Sequence, residues 1–517
     1  MTEGHLVGMD VGTTHSSISL FTSAGLEIAP NREGDKLTPS VGYAQSQDMD
    51  DMVIGSRAKH VRLAQGAYCF SRPKPVLAED PEATVLTHPE TGERLTALEA
   101  STHIIRYLLD YGRDYFEVDI RGAVIGVPSR FGQQAREATK RAAHDAGLDE
   151  VELRKEPTLA LQAQLHTDPR MPEGWIGVFD VGGGTFDLSI CRVIKGEGTR
   201  VSASDGSPRL GGDDFTVPIR QYILEQFREE HGIEFDPESE EEDRQTLQVT
   251  DEKAEKIKQD LSGLQETMTS LVAKGKQVTV ELTRKKLESL NSDNIEAIRG
   301  KAEDAIEESE LGSADELACL LLVGGGSKIP IISSLAEEIA GPDVPIRQAG
   351  EPDLAVVRGA ALEAARLDEK PLYNIPVEST QVEDVTSMSI GVACCRRDDP
   401  DPENRIVNQL IPAGEPLPAK GSETFLLAVP DGASSGDHIE ASDLIITQGK
   451  HQAAFRPELE IKRFPLEGME PQQGDSKKVC VVAEVDRSGI ATIECRDRET
   501  GQKIEGTLDC NIREKGE

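Results

Sequence analysis

Two copies of one short phrase constrain this chain more than anything else in it. Val7-Gly8-Met9-Asp10-Val11-Gly12-Thr13-Thr14 stands near the start, and Ile176-Gly177-Val178-Phe179-Asp180-Val181-Gly182-Gly183-Gly184-Thr185-Phe186-Asp187 repeats it downstream. Each runs an apolar strand into an aspartate, then a Gly-Thr turn, then a second apolar strand. That is a β-hairpin whose tip carries one carboxylate, hydroxyls and glycines. Glycine has no Cβ, so backbone N–H groups at such a tip can converge on an anion. One copy alone reads equally well as an ordinary tight turn. Two copies with matching flanks predict tips that face one another and hold a polyphosphate, with Asp10 and Asp180 beside its metal.

The bulk properties narrow the partners. At 517 residues the chain is long enough for more than one domain. Its 93 acidic residues against 56 basic ones leave a net charge of -37. That balance argues against nucleic acid or an anionic membrane as the main partner, because phosphate attraction needs clustered Lys and Arg. The first residues lack the basic-then-apolar plan of a signal peptide, and no apolar run approaches membrane-spanning length. Eight cysteines are scattered without CxxC spacing, so neither zinc nor a disulfide framework is expected. The chain reads as cytoplasmic.

Residues 1–373 alternate strand and helix patterns, the mark of an α/β architecture. The strand at 123–128 is stopped by Pro128, and a helix follows over 133–146 with Gly147 as its stop. The apolar run 320–323 leads into Gly324-Gly325-Gly326-Ser327, and a helix is expected at 330–340. The stretch 237–243, Pro-Glu-Ser-Glu-Glu-Glu-Asp, is expected to be a solvated acidic loop. Residues 374–385 read as a linker. From 386 to 517 the text changes to short alternating strands with Gly, Pro and Asp-Gly turns, among them a hairpin over 479–495. A β-sandwich is expected there, with no helical segment after its last strands.

This order of motifs resembles the seventy-kilodalton heat-shock chaperones of the DnaK type. Residues 123–163, AVIGVPSRFGQQAREATKRAAHDAGLDEVELRKEPTLALQA, are similar to that family's connecting segment almost throughout. Leu210-Gly211-Gly212-Asp213-Asp214-Phe215 matches its LGG-acid-DF motif, and EKIKQDLS at 255–262 resembles the helix bordering the adenosine. The likeness continues through DVTSMSIG at 384–391, Leu410-Ile411-Pro412 and residues 486–489. It implies an actin-like ATPase domain of two duplicated α/β lobes followed by a β-sandwich substrate-binding-like domain. It also implies ATP or ADP as ligand, with Mg²⁺ near Asp10 and Asp180 through ordered waters, since magnesium dehydrates reluctantly. By the same resemblance Thr13, Thr14 and Thr185, with Gly12, Gly182, Gly183 and Gly184, hold the β- and γ-phosphates. Gly211, Gly212, Gly324, Gly325, Gly326, Lys328 and Asp353 line the nucleotide. Glu255 and Lys258 meet the ribose and Ser262 the adenine. Asp187 places the metal's water shell or the attacking water. Glu156 orients that water or accepts its proton, or is a capping carboxylate.

The departures are as informative. Where the family carries a lysine that reaches the γ-phosphate, this chain reads Tyr68-Cys69-Phe70-Ser71-Arg72-Pro73-Lys74-Pro75. Either Arg72 or Lys74 supplies the cation; an arginine would offer a planar fork in place of a point charge. Gln259 and Lys328 stand where arginines commonly stack on the adenine, a loss on the order of 1 kcal/mol per face. Gly326 replaces a serine. Pro128 and Arg136 match the relay between nucleotide site and peptide domain, yet the leucine-rich linker is replaced by the scattered valines of 377–385, and no helical lid is expected. Coupling is expected to be weakened and any client to exchange quickly. Val392, Cys394 and Cys395 line a client groove or fill the sandwich core. Three functions follow: an ATP-hydrolysing chaperone for client polypeptides, with a J-domain co-chaperone and a nucleotide exchange factor as partners; a nucleotide-binding module with weak or no turnover that engages a dedicated protein partner; and a small-molecule kinase on the same hairpin fold.

Overall fold

A computed structural model describes residues 4–194, 198–207, 209–236, 241–373, 382–386, 388–395, 405–428, 438–440, 443–449, 460–466 and 477–507. Most of the expected linker, 374–381, lies outside them. The described chain divides into two compact units, one built from residues up to Val382 and one that holds Glu383 onward together with Ala78–Asp80 and Phe131–Lys140.

The first unit repeats one sheet plan twice. In the first lobe the strand His5–Val11 runs parallel to Ile120–Val127 and antiparallel to His15–Thr22. Glu150–Lys155 extends the sheet on one side and Gly25–Ile28 on the other. In the second lobe Gly174–Val181 runs parallel to Leu317–Val323 and antiparallel to Phe186–Ile194, flanked by Ile346–Gln348 and Gly198–Ser207. The central strands are near-continuous apolar runs because both faces are covered, as parallel strands require. The duplicated α/β lobes that the resemblance implied are therefore present.

Two equivalent helices cross between the lobes. Glu156–Thr167 follows the last parallel strand of the first sheet, and Ala355–Leu367 follows that of the second. The second helix is rich in Ala and Gly, so the backbones approach closely: a Cβ on Gly359 would stand 1.8 Å from the Leu159 carbonyl oxygen. Gly359→Ala forces these helices apart and is expected to cost about 1–3 kcal/mol of stability, read as a lower denaturant midpoint.

The acidic stretch departs from expectation. Residues 237–240 lie outside the described chain, but Glu241–Gly263 is one helix. Asp243, in its first turn, is buried and paired with Lys274 Nζ at 2.6 Å. Carboxylates are favoured at a helix N-terminus by the peptide dipoles, which is why an acidic run here begins a helix where a solvated loop was expected.

In the second unit a four-stranded sheet runs in the order Ile406–Ile411, Ser389–Cys394, Asp443–Gly449, Glu460–Pro465. A five-stranded sheet runs His438–Glu440, Ala419–Ala428, Lys477–Val485, Ala491–Asp497, Lys503–Thr507. One apolar cluster joins both sheets, including Ile390, Val392, Cys394, Phe425, Ile446, Val481 and Ile493. This is the β-sandwich. Val392 and Cys394 lie two residues apart on one strand and share its inward face, and Cys395 is also buried. Val392 and Cys394 are packed in this core, which decides against their lining an open groove; Cys395 is buried but is not part of that cluster. Arg136, within this unit, donates to the carbonyls of Phe131 (2.9 Å) and Ser488 (2.8 Å). Among the described residues no helix is long and apolar enough to cross a membrane.

Candidate nucleotide site

The two hairpin tips meet. A Cβ on Gly183 would fall 2.1 Å from Thr14 Oγ1, and one on Gly184 would fall 2.9 Å from Thr13 Cγ2, so only glycine lets the second tip close on the first. Gly211 backs this contact, its missing Cβ 2.5 Å from the Thr185 amide nitrogen. Gly212 and Asp213 continue the wall, donating from their amides to the carbonyls of Gly182 (2.9 Å) and Gly183 (2.6 Å).

A cavity of about 390 Å³ opens between the tips. Of the residues singled out from the sequence, Asp10, Gly12, Thr13, Thr14, Lys74, Glu156, Asp180, Gly182, Gly183, Thr185 and Gly212 form its inner end. Glu255, Lys258, Ser262, Gly324, Gly325, Gly326, Lys328 and Asp353 form its outer end. Gly184, Gly211 and Asp187 stand behind the wall; Arg72 is not part of it. Sequence reasoning gave no role to His15, Leu37, Ile329, Pro352 and Val356, which also line it. The four apolar ones carry no motif, and His15 had only its place beside Thr14 as a signal. Gln259, noted for the adenine face, is on the wall and donates to Glu255 Oε1 at 2.9 Å.

Arg72 and Lys74 are placed differently. Arg72 has a left-handed backbone (φ 54°) and directs its half-exposed guanidinium to Asp213, with Nε 3.1 Å from Oδ2. Pro73 then opens the short helix Pro73–Glu79, a position where proline's missing N–H costs nothing. The helix carries Lys74 inward, where it is buried and donates to Glu156 Oε1 at 2.6 Å. Arg72 therefore pairs with Asp213 outside the cavity lining, whereas Lys74 is on the wall.

Three carboxyls act on Lys74, those of Glu156, Asp10 and Asp180, and Asp187 adjoins Glu156 and Asp180. Asp180 and Asp187 are directly opposite in the second hairpin, whereas Asp10 faces the neutral Ser17 in the first. Burial, and then the charge of Glu156, pushes the Asp10 carboxyl up to about 7 against the pull of Lys74. Burial followed by Glu156, Asp187 and Asp10 raises Asp180 well above the usual carboxylate range. Asp187 is raised by burial and Glu156, with Arg130, the Ser129 amide and Lys155 opposing. Burial works against the Lys74 charge, but Glu156 and Asp10 outweigh it and raise the ammonium's pKa.

This excess of buried anionic groups is what a divalent cation relieves. Asp187 Oδ1 is buried with no hydrogen-bond partner, a further sign that the cluster is built around a guest. Among the described residues no three His, Cys, Asp or Glu side chains are grouped to ligate a metal directly. A hard cation here would keep its waters and take phosphate oxygens.

At the outer end Lys258 is already committed. Its ammonium donates to the Gly212 carbonyl (2.5 Å) and Thr216 Oγ1 (2.9 Å), and it pairs with Glu255 Oε2 (2.6 Å). Those are all three of its protons, so it braces Glu255 and the Gly212 turn. Ser262 Oγ donates to the Lys258 carbonyl at 3.1 Å, leaving its lone pairs for a ligand. Lys328 pairs with Asp353. Gly324 (φ 77°) lets the strand Leu317–Val323 turn against Val181, since a Cβ there would lie 2.3 Å from the Val181 carbonyl oxygen.

Comparison with known proteins finds one family. The family model described as Hsp70 protein matches residues 6–72 and 71–514. The chain is 31% identical over 526 residues to chaperone protein dnaK1 of Prochlorococcus marinus, covering 97% of this chain and 74% of that one. It is 29% identical over 515 residues to chaperone protein DnaK of Halobacterium salinarum, covering 98% and 76%. It is 30% identical over 531 residues to chaperone protein dnaK of Emiliania huxleyi, covering 98% and 79%.

Proposed function

The chain belongs to the Hsp70 family, and from that premise we propose how its site divides the work of an ATP-dependent molecular chaperone. The protein binds ATP and ADP and acts on client polypeptides. The observation that carries the finer reading is the pairing of Lys74 with Glu156 inside the carboxyl cluster, at the point where the two Gly-Thr tips meet.

The hydroxyls of Thr13, Thr14 and Thr185 and the tip amides hold the β- and γ-phosphates. Lys74 presents its charge to the γ-phosphate, where phosphoryl transfer needs positioning and neutralisation more than covalent help. Glu156, oriented through Oε1 by Lys74, uses its other oxygen to align a water and take its proton. The water oxygen bonds to the γ-phosphorus, the bond to the β,γ-bridging oxygen breaks, and ADP departs with the electron pair. Asp10 and Asp180 would hold Mg²⁺, which when bound would supply neutralising charge along the phosphate chain. At the outer end Glu255 meets the ribose and Ser262 the adenine, with Gly324 and Gly325 admitting the nucleoside. A J-domain co-chaperone and a nucleotide exchange factor are the partners that fit this cycle.

Single-turnover hydrolysis of ATP, with and without an extended apolar peptide, tests the reading. Turnover that the peptide accelerates supports it; tight ATP binding without turnover supports a module that uses nucleotide as a structural ligand. Thr185→Ala is expected to slow turnover at least about tenfold more than it weakens nucleotide binding, as loss of a transition-state contact does. Equal losses in both would make Thr185 a fold residue.

A further inference from the structure

His15 opens the strand that follows the tip bearing Thr13 and Thr14. It lines the nucleotide cavity and also an adjoining cavity of about 850 Å³. Among the described residues its ring nitrogens have no hydrogen-bond partner. Three charged groups act on it from three elements: Lys59 from the helix Ser56–Gln65, Asp353 from the turn Pro352–Leu354 and Glu255 from the helix Glu241–Gly263. Lys328, paired with Asp353, shares both cavities. The strand segment Thr38–Pro39 that pairs with it brings no charge.

We propose that His15 is a nucleotide contact that takes up a proton as the phosphate chain enters, so that binding tightens as the pH falls. The inference rests on the nucleotide reading above. In the empty site, burial and the nearby Lys59 ammonium hold the imidazole down at about 4, with Asp353 and Glu255 opposing, so it is neutral at ordinary pH. A polyphosphate brings several negative charges to the same wall and reverses that balance. The imidazolium then donates a charge-assisted hydrogen bond to a phosphate oxygen. A group whose pKa rises on binding strengthens binding most at low pH. The dissociation constant falls at most about tenfold per pH unit, from the bound-state pKa down to about 4.

The test is ADP binding by titration calorimetry at pH 5.5 and pH 8 in two buffers of different ionisation enthalpy, for the parent and for His15→Asn. Carboxyls in the site also titrate, so the readout is the difference between the two proteins. The expected result is extra proton uptake by the parent at pH 5.5 and an affinity gap that widens toward acid. Identical uptake and identical pH dependence would overturn it. Should the variant fold poorly, the ring shifts of His15 in the parent, titrated with and without ADP by NMR, give the same answer: an unchanged midpoint overturns the proposal. Absence of ADP binding by the parent at every pH would instead sink the nucleotide reading itself.

Discussion

Lys74→Ala is expected to lower single-turnover ATP hydrolysis by about 100- to 1,000-fold, the loss typical of one preorganised electrostatic donor. Arg72→Ala should change it less than about fivefold, because a half-exposed ion pair is worth at most about 1 kcal/mol. The contrast tests the geometric choice between the two cations. Removing Lys74 also leaves Glu156 as an uncompensated buried charge, a destabilisation of about 3–5 kcal/mol. The double variant Lys74→Ala/Glu156→Gln tests the stability term alone: thermal stability should recover toward the parent value, while turnover stays lost because both side chains act in it. Turnover restored along with stability would contradict a role in hydrolysis for either residue.

Asp10→Asn has the second-largest effect and acts in opposite directions on the empty and the loaded protein. The Asp10 carboxyl stands at about 7 when folded, against an ordinary 3.8. Between pH 4 and 7 the native state therefore keeps a proton that the unfolded chain has released. Stability of the empty protein falls as pH rises through that window, by up to about 1.4 kcal/mol per unit for this group, and the full cost remains above pH 7. Asn removes that cost, so the empty variant should melt higher than the parent at pH 8 and show a flatter pH profile. The same change should weaken the Mg²⁺-dependent part of nucleotide binding by about 10- to 100-fold. Denaturation across pH 5–8 and ATP titrations with and without Mg²⁺ measure both. A variant that is less stable at pH 8 and binds Mg²⁺-ATP as the parent does would contradict the assignment.

The parts of this protein legible in its sequence are those whose physics is local. A hairpin tip that receives an anion must be glycine-rich and carry hydroxyls, so the pairs at Gly12 and Gly182 announce themselves. The cation was not legible. Arg72 and Lys74 are two residues apart, and which one turns inward depends on a left-handed residue followed by a proline that starts a helix. Pro73, which opens that helix, is what delivers Lys74. The helix start at Glu241 was missed because an acidic run satisfies two rules, solvated loop and favoured N-terminal turn, and burial of Asp243 beside Lys274 selects the second. Lys258, expected at the ribose, does line the cavity, and sequence could not show that it also binds Gly212, Thr216 and Glu255. Val392 and Cys394 were equally compatible with groove and core until the facing sheet was in place.

The whole account depends on the two tips closing around a triphosphate. Isothermal titration of the folded, nucleotide-free protein with ATP is the most direct check. One equivalent of ATP should be taken up, more tightly with Mg²⁺ present than without it. No heat of binding and no protection from unfolding by either ATP or ADP would contradict it.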